Sequence, residues 1–377
     1  MSMSGVIQNK VGFSGGISVA ELLGREVVVL HSPASFDLLR GKTVLVTGAA
    51  GSIGSELCRQ LLEYEPELVI ALDTNETGLF DLREVLHLYP GGSRLRVQLG
   101  DITDLVNIEH LLQRYRPQII FHVAAYKHVS LLEQYPEQAA RINILGTFHL
   151  SRLARKYEAE RFVFISTDKA AEPTSVMGAS KRVGELIMQS LVRSDGHNTR
   201  FSAVRFGNVI GSRGSVVPIF TRQIERGGPI TVTDPQATRY FMTIPEACGL
   251  VILSASLAEA GKIYLLDMGE PVRIVDLAQK MILAHKREGQ RKIPIQYIGL
   301  RPGERLHEQL VASDEKLYAT SHDKIFSITS KEELPSLEMI TLWTRKLEEG
   351  LSNGSVEQLH QLVFSFVRQR STITVHP

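Results

Sequence analysis

Short apolar runs rich in β-branched residues alternate with amphipathic stretches over much of the chain. Such runs are typical of parallel strands, which are covered on both faces. They are Thr43–Thr47, Leu68–Asp73, Leu95–Leu99, Gln118–Val123 and Phe162–Ser166. Apolar residues at helical spacing predict crossover helices at Ser52–Tyr64, Glu76–Leu88, Leu105–Tyr115 and Ala139–Tyr157. The alternation predicts an α/β fold built on a doubly wound parallel sheet.

After Arg200 the alternation weakens, and we expect a smaller substrate-binding region. Its strand-like segments are Ser202–Val209, Ile230–Thr233 and Lys262–Met268. Glu332–Arg370 predicts two amphipathic helices, which serve either internal packing or an oligomer surface. The predicted division is an arm (1–40) with an apolar segment at Arg25–His31, a dinucleotide-binding domain (41–230), an interleaved substrate region (231–330) and a helical tail (331–377).

Composition and charge narrow the possible partners. With 43% hydrophobic and 22% charged residues, the chain of 377 residues is ordinary globular protein. A net charge of +1 gives no field that would attract nucleic acid or an acidic membrane. No run reaches the roughly 18 apolar residues of a membrane span, and the start does not resemble an export signal. Cys58 and Cys248 show no disulfide or metal spacing, so we expect a reducing, cytoplasmic setting and no metal.

A glycine-rich segment joins the first predicted strand to its helix. Gly48, Gly51 and Gly54 permit a tight turn, close approach of a pyrophosphate and close packing of the helix, whose N-terminus favours an anion. Glycine-rich turns are common, but this one has a strand before it and a helix after it. We therefore predict a dinucleotide site here, with Ser52 and Ile53 at the start of the helix.

Acidic residues follow the second and third strands. Asp73 would accept hydrogen bonds from the adenosine ribose and repel a 2′-phosphate, and no Arg follows it in Thr74–Thr77. NAD is therefore favoured over NADP. Asp101 and Ile102 are candidates for the adenine edge, although an Asp that starts a helix explains Asp101 equally well.

The fifth strand ends in Thr167-Asp168-Lys169, at the sheet edge where open α/β folds bind ligands. An adjacent Asp and Lys on a surface are usually just solvated. At a strand end beside a cofactor they can act as acid and base. We expect burial near a cationic nicotinamide to lower the pKa of Lys169 towards neutrality.

The glycine spacing resembles the short-chain dehydrogenase superfamily, and the resemblance continues beyond the turn. The segment His122–His128, which contains Ala124 and Ala125, resembles the loop beneath the nicotinamide ribose, and Asn143 with Gly146 resembles a supporting helix position. The family's Tyr-x-x-x-Lys reads Met177-Gly-Ala-Ser-Lys181 here. Either catalysis is lost, or a group other than tyrosine takes the proton of the sugar hydroxyl.

Four longer motifs resemble the polysaccharide-biosynthesis family of UDP-N-acetylglucosamine 4,6-dehydratases. They are Ser175–Arg182, Arg205–Val216, Thr238–Ala247 and Gly299–Glu308. The resemblance covers residues 20 to 330. In a membrane-anchored branch of this family the tyrosine position is also Met, so the resemblance favours an active enzyme.

The resemblance implies an NAD-dependent reaction in which the sugar is oxidised at C4, C5 loses a proton, water leaves from C6 and the hydride returns to C6. Lys169 is then the candidate base at C5. Asp168 is the candidate proton donor to the C6 hydroxyl and, helped by Thr167, would serve the C4 hydroxyl. Lys181 would bind the cofactor ribose.

A further set of residues would bind a UDP-sugar. They are Lys127, Asn208, Ser215, Val216, Arg239, Arg301 and Glu304. The two arginines would pair with the diphosphate as forks, and Glu304 would accept from a ribose or hold Arg301. Family members associate through helices, so a homo-oligomer is expected.

Two other functions remain open at this point. A nucleotide-sugar 4-epimerase, or a dehydratase that inverts C5, shares the fold, the cofactor and the first hydride step. A regulatory module that binds NAD without chemistry would explain Met177 directly. The Thr-Asp-Lys run favours dehydration over both.

Overall fold

A computed structural model describes Leu22, Arg25 and residues 32–192, 198–257, 259–285, 292–331 and 333–368. Most of the predicted arm, including the apolar segment after Arg25, lies outside the described residues. Leu22 is fully buried, and Arg25 forms a 2.7 Å ion pair with Glu246. Helix α1 (Pro33–Leu39) then leads into the sheet.

Among the described residues, nine strands form one central sheet. Its first six are β1 Thr43–Thr47, β2 Leu68–Asp73, β3 Leu95–Leu99, β4 Ile119–His122, β5 Arg161–Ile165 and β6 Arg200–Arg205. They lie parallel in the order 3-2-1-4-5-6. The order reverses between β1 and β4. The loops that follow these two strands therefore run in opposite directions and leave a crevice at the carboxyl ends of the strands. The predicted doubly wound parallel sheet is confirmed.

Three more strands extend this sheet beyond β6. They are β11 Ile263–Leu266, parallel to β6, and the antiparallel pair β15 Ile325–Ser330 and β14 Glu315–Ala319. These three strands belong to the predicted substrate region, so the end of that region forms part of the main sheet. The antiparallel edge was not part of the sequence prediction.

Helices cover both faces of the sheet. On one face lie α2 Ser52–Leu62, α3 Glu76–His87 and α9 Ile244–Leu257, together with α1. The other face carries α4 Leu105–Tyr115, α5 Val129–Gln134, α6 Thr147–Lys156 and α7 Val176–Val192. Each face encloses its own apolar core, which is why the strands read as continuous apolar runs.

The predicted helix Ala139–Tyr157 is in fact two segments. A short turn at Pro136–Gln138 leads into a π-helix at Ala139–Gly146, and α6 follows. Sequence periodicity does not distinguish the wider π turn from an α turn over so few residues. Such turns are frequent at functional sites, and this one carries Asn143.

A third apolar core supports the smaller region. It lies among α8 Val216–Glu225, α10 Ile274–Ala284 and three two-stranded pairs. The pairs are β7 Asn208–Val209 with β10 Phe241–Met242, β9 Thr238–Arg239 with β12 Val272–Arg273, and β8 Ile230–Val232 with β13 Ile295–Tyr297. The predicted strand Ser202–Val209 is split, because the chain leaves the main sheet after Arg205 and pairs again at Asn208.

The tail forms two helices, as the sequence predicts, and they pack on the chain itself. These are α11 Leu337–Asn353 and α12 Val356–Arg368. Trp343 stacks on Phe366 with ring centroids 4.2 Å apart, and both belong to the core that contains α7. The tail therefore serves internal packing.

Both cysteines are buried free thiols, and burial raises their pKa values above the ordinary range. The part of the chain that the structure describes contains no helix long and apolar enough to cross a membrane.

Replacing the buried indole of the tail tests its contribution to the core. Trp343 is 8% exposed, so we expect Trp343→Ala to lower the free energy of unfolding by about 3–5 kcal/mol in urea titrations. The adjacent Leu342 is 51% exposed and is the matched control. Leu342→Ala should change stability by less than about 0.5 kcal/mol, and equal effects of the two changes would contradict the tail's role.

Candidate active site

The glycine-rich turn is closely packed where β1 passes into α2. Gly48 has φ +68°, and a Cβ there would lie 2.7 Å from the backbone N of Ala124. A Cβ on Gly54 would lie 2.1 Å from the carbonyl oxygen of Gly48. Helix α2 begins at Ser52, just beyond the carboxyl end of β1, where the crevice lies. Gly51 gives it no side-chain cap, so its N-terminal dipole is available to an anion there. This geometry fits a pyrophosphate.

Asp73, at the end of β2, holds the same turn. One of its carboxylate oxygens accepts the N–H of Ala50 at 2.9 Å, and the other accepts the N–H of Asn75 at 2.9 Å. Each oxygen keeps a further lone pair for a ribose hydroxyl. The residues present therefore fit an adenosine ribose without a 2′-phosphate.

Asp101 forms its own turn. Its Oδ1 accepts the N–H and the hydroxyl of Thr103, each at 2.8 Å, while Asp104 caps α4. The side chain of Ile102 is buried against Gly146. The structure thus shows a structural function for both residues, and contact with adenine remains a prediction.

A chain of buried hydrogen bonds runs beneath the crevice from β1 to α6. The N–H of Ala124 donates to Thr47 Oγ1 at 3.2 Å, and this hydroxyl lies 2.8 Å from Nδ1 of His122. On the far side, Nε2 of His122 lies 2.9 Å from Thr147 Oγ1, which donates to the carbonyl of Asn143 at 2.7 Å. Since the proton of Thr147 is already used, Nε2 must carry the imidazole proton. Burial, with a smaller effect from Lys181, lowers the pKa of His122 to about 3, so the ring is neutral.

Asn143 continues this chain to α7. Its amide exchanges two hydrogen bonds with the backbone of Tyr126, at 2.8 and 2.9 Å, and donates to Ser180 Oγ at 3.0 Å. Ser180 in turn donates to the carbonyl of Met177 at 2.7 Å. The loop of residues 123–128 is thereby fixed to the helix that carries Lys181. Sequence reasoning identified Asn143 but not Thr47, Thr147 or Ser180.

The Thr-Asp-Lys motif forms a tight 3₁₀ turn at the carboxyl end of β5. Thr167 donates to Asp168 Oδ1 at 2.8 Å, and the ammonium of Lys169 donates to the same oxygen at 3.0 Å. Within the described residues, the buried Oδ2 of Asp168 has no hydrogen-bond partner. Asn208 Oδ1 lies 3.5 Å from the Lys169 ammonium. The structure therefore joins three predicted catalytic residues to one predicted substrate residue.

Lys169 was expected to have a lowered pKa beside a bound nicotinamide; in the protein without ligands its pKa shifts the other way. Burial acts to lower its pKa, but the charges of Asp168 and Glu308 outweigh burial and raise that pKa above the ordinary value. The Glu308 carboxylate lies 3.2 Å from the ammonium. Sequence patterns do not reveal this third charge, because Glu308 is far from Lys169 along the chain.

Lys181 and Met177 lie where the start of α7 meets this turn. A Cβ on Gly178 would lie 2.3 Å from the carbonyl of Lys169, so glycine is needed for this contact. Met177 is buried, and the ammonium of Lys181 donates to the carbonyl of Ile165 at 2.8 Å. Burial lowers the pKa of Lys181 to about 7, against the opposing charge of Glu185. Its side chain is therefore only partly protonated near neutrality.

Behind this site lies a buried ionic cluster. Arg205 donates twice to Glu185, at 2.6 and 2.7 Å, and twice to Glu315, at 2.6 and 2.8 Å. Arg182 reaches both carboxylates, and Ser166 donates to Glu185 at 2.7 Å. The cluster connects β5, β6 and α7 to the edge strand β14. It was not predicted, since charged residues separated so widely in sequence give no local pattern.

The predicted substrate residues are distributed over several elements. Arg239 donates to the carbonyls of Thr238, Arg305 and Leu306, at 2.7 to 3.1 Å. Its guanidinium therefore binds the protein itself here, in place of the predicted bidentate pairing with a diphosphate. Glu304 accepts the backbone N–H of Arg301 at 3.3 Å, and the Arg301 side chain is exposed. Val216 begins α8. Ser215 Oγ is buried and lacks a partner in the portion of the chain described.

The loop 211–215 closes over the glycine-rich turn. The N–H of Arg213 donates to Ser52 Oγ at 3.1 Å, and its guanidinium donates to the carbonyl of Ala50. Lys127 donates to the carbonyl of Arg213 at 2.9 Å. Arg213 thus brings a cation to the predicted pyrophosphate position. Ser215, in this loop, is a predicted substrate residue, whereas no sequence pattern singled out Arg213.

The sheet order, the crevice and the Lys181 position define the class as the extended short-chain dehydrogenases with a Rossmann fold. The solved structure of Pen from Bacillus thuringiensis is 33% identical, with a TM-score of 0.72 over 79% of this chain and 89% of that chain. UDP-glucose 4-epimerase from Thermus thermophilus, solved in complex with NAD, is 26% identical, with a TM-score of 0.62 over 71% and 90%. The cofactor bound in that structure is NAD, the cofactor predicted for this chain.

The chain belongs to the polysaccharide biosynthesis protein family, whose model matches residues 44–330. Capsular polysaccharide biosynthesis protein CapD of Staphylococcus aureus is 45% identical over 82% of this chain and 52% of that protein. UDP-N-acetylglucosamine 4,6-dehydratase (inverting) of Campylobacter jejuni is 28% identical over 80% and 86%. The chain spans about half the length of CapD and of EpsC from Bacillus subtilis. The predicted family is confirmed.

A methyl group at Gly54 should open the glycine-rich turn, because the added carbon would meet the Gly48 carbonyl. We expect Gly54→Ala to weaken NAD binding more than about tenfold in calorimetric titrations. Gly350→Ala in α11, where the added carbon meets a flexible leucine at 3.2 Å, is the control and should bind NAD normally. Equal affinity in the two variants would contradict a cofactor site at this turn.

Lys181 should make stability depend on pH. Folding buries the ammonium, and this cost is fully present below the folded pKa of about 7 and disappears as pH approaches 10.5, the ordinary value. Without cofactor, the Lys181 contribution to the free energy of unfolding should therefore rise with pH between 7 and 10.5, by up to about 1.4 kcal/mol per pH unit. Lys181→Met should remove this rise in urea titrations, whereas Lys316→Met, at an exposed site on β14, should keep it. Parallel curves for all three proteins would contradict the assignment.

Proposed function

We propose that this chain catalyses the NAD-dependent 4,6-dehydration of a UDP-N-acetylhexosamine, with UDP-N-acetylglucosamine as the favoured substrate, in surface polysaccharide or glycan biosynthesis. The observation that carries the proposal is the ion pair at the carboxyl end of β5 between the buried Asp168 and the partly buried Lys169, next to the start of the helix that carries Met177. A site without the usual tyrosine needs another proton acceptor, and this pair supplies one.

Asp168 is proposed to move the proton lost from the C4 hydroxyl. Its Oδ2 is buried and without a partner among the described residues, so a lone pair is available for a substrate hydroxyl. Thr167 holds the other oxygen and so fixes the carboxylate. The proton accepted from C4 can later be given to the hydroxyl that leaves C6, and Asp168 ends each turnover as a carboxylate.

Lys169 is proposed as the base at C5. In the protein without ligands Lys169 is an ammonium, so it must first release a proton to solvent. After it has taken the C5 proton its N–H protons exchange with solvent, and it gives a proton back to C5 when the sugar is reduced at C6. When bound, NAD would accept the hydride from C4, return it to C6 and add a positive charge that disfavours a neighbouring ammonium. Glu185 limits the loss of charge on Lys181, the proposed ribose ligand.

The nucleotide end is assigned to residues along the crevice. Asn208 is proposed to contact the sugar, because its amide lies beside Lys169. Ser215, Lys127 and Arg301 are proposed contacts for the nucleotide. Arg213 is proposed to neutralise the cofactor pyrophosphate rather than the sugar diphosphate, because it contacts Ala50 and Ser52.

Isotope transfer tests the reaction. With NAD present and deuterium at C4 of UDP-N-acetylglucosamine, we expect a product that has lost one water and carries the deuterium at C6, measured by mass spectrometry and NMR. In D₂O one solvent deuterium should enter at C5, and the C5 configuration separates retention from inversion. A product of unchanged mass would identify an epimerase instead.

Matched variants assign the residues in the same assay. Asp168→Asn and Lys169→Ala should each lower kcat by at least about 100-fold while NAD still binds. Lys316→Ala removes an exposed lysine and should leave kcat unchanged. Wild-type protein that binds NAD but converts no nucleotide sugar would favour the regulatory module.

A further inference from the structure

The segment from residue 303 to 315, here named the strap, passes across the Thr-Asp-Lys turn on its way from β13 to β14. Arg305 donates to Thr174 at 3.2 Å and to the carbonyl of Glu172. The N–H of Thr238 donates to Leu306 at 3.0 Å, and the N–H of Ser313 donates to Glu172 Oε1 at 2.7 Å. The strap is therefore anchored on both sides of Glu308.

Glu308 is the strap residue that enters the site. Its side chain is 4% exposed, and its Oε1 lies 3.2 Å from the ammonium of Lys169 and 3.6 Å from Nε of Arg239. With Asp168, the group contains two carboxylates and two cations. A buried carboxylate is costly unless its charge is balanced, so Glu308 requires this arrangement of cations.

Anchoring the strap does not by itself explain this carboxylate. Arg239 already fastens the strap through the carbonyls of Arg305 and Leu306, at 2.8 and 3.1 Å, and neither bond involves Glu308. The shorter of the two Glu308 contacts is the one to Lys169. Asp168 and Glu308 thus hold one ammonium between them, from two elements remote in sequence.

We propose that Glu308 is a positioning residue of the active site: it fixes the Lys169 amine beside Asp168 and keeps it charged until the substrate is bound. This rests on the proposed function only in so far as Lys169 takes part in proton transfer. Asp168 and Arg239 are the other charged groups that face Lys169. Removing the Glu308 charge should leave the ammonium with less compensation for its burial.

Titration of Lys169 tests the electrostatic part without substrate or cofactor. The protein is labelled with ¹³Cε-lysine, and the Lys169 resonance is identified by its loss in Lys169→Arg. We expect Glu308→Gln to lower the Lys169 pKa by about one unit or more, as for loss of an opposite charge at this distance. Asp314→Asn removes a carboxylate from the same strap that contacts Ser330 instead, and should leave that pKa unchanged.

Turnover tests the functional part. If Lys169 is the base, kcat rises with pH as the amine loses its proton, and Glu308→Gln should move this ascending limb to lower pH by the same amount. Glu308→Asp should restore much of the wild-type profile. If Glu308 only anchored the strap, Glu308→Gln would raise KM or lower Tm and leave the pH profile of kcat unchanged.

The outcomes separate the two proposals. An unchanged Lys169 pKa in folded Glu308→Gln, with a normal circular dichroism spectrum, overturns the inference whether or not the protein is a dehydratase. A shifted Lys169 pKa in a protein that converts no nucleotide sugar supports the contact between the two side chains and rejects the proposed function. If Glu308→Gln does not fold, the same titration is made on Glu308→Met, which also removes the charge: a lowered Lys169 pKa supports the inference and an unchanged one overturns it.

Discussion

Arg205 and Lys169 are both cations withdrawn from water at the carboxyl side of the sheet, and each is held between two carboxylates. One carboxylate of each pair comes from the sheet or the helix beside it: Glu185 for Arg205, and Asp168 for Lys169. The other comes from the strap. Since an unbalanced buried charge is strongly destabilising, the site and the late part of the chain depend on each other.

The strap therefore links the fold to the chemistry. It supplies Glu308 to the Thr-Asp-Lys turn and ends at Glu315, the first residue of edge strand β14. The antiparallel strands beyond β11 hold this end of the strap in place through backbone pairing. A change at this edge would alter the position of Glu315 and, through Arg205 and Glu185, the surroundings of Lys181.

Beneath the cofactor crevice, hydrogen bonds between uncharged groups join neighbouring elements, as ion pairs do at the catalytic turn. His122 is kept uncharged by burial and carries its proton on Nε2, so it can join Thr47 to Thr147 without a counter-ion. Asn143 then fixes the loop of residues 123–128 against α7. The glycine turn packs directly on that loop at Ala124, so the two halves of the crevice are held at a fixed separation.

The sequence alone determined the first five parallel strands, the helices between them, the glycine turn, Asp73 and the Thr-Asp-Lys motif, because each is a local pattern that a few neighbouring residues define. Tertiary structure decided what depends on residues remote along the chain. It brought Glu308 to Lys169, where the carboxylate acts to raise the pKa of the ammonium. It also used Arg239 to hold the strap, placed Arg213 on the glycine turn and joined the last two strands to the sheet. The physical reason is that protonation and charge pairing depend on every group within a few ångströms, and sequence patterns report only those nearby along the chain.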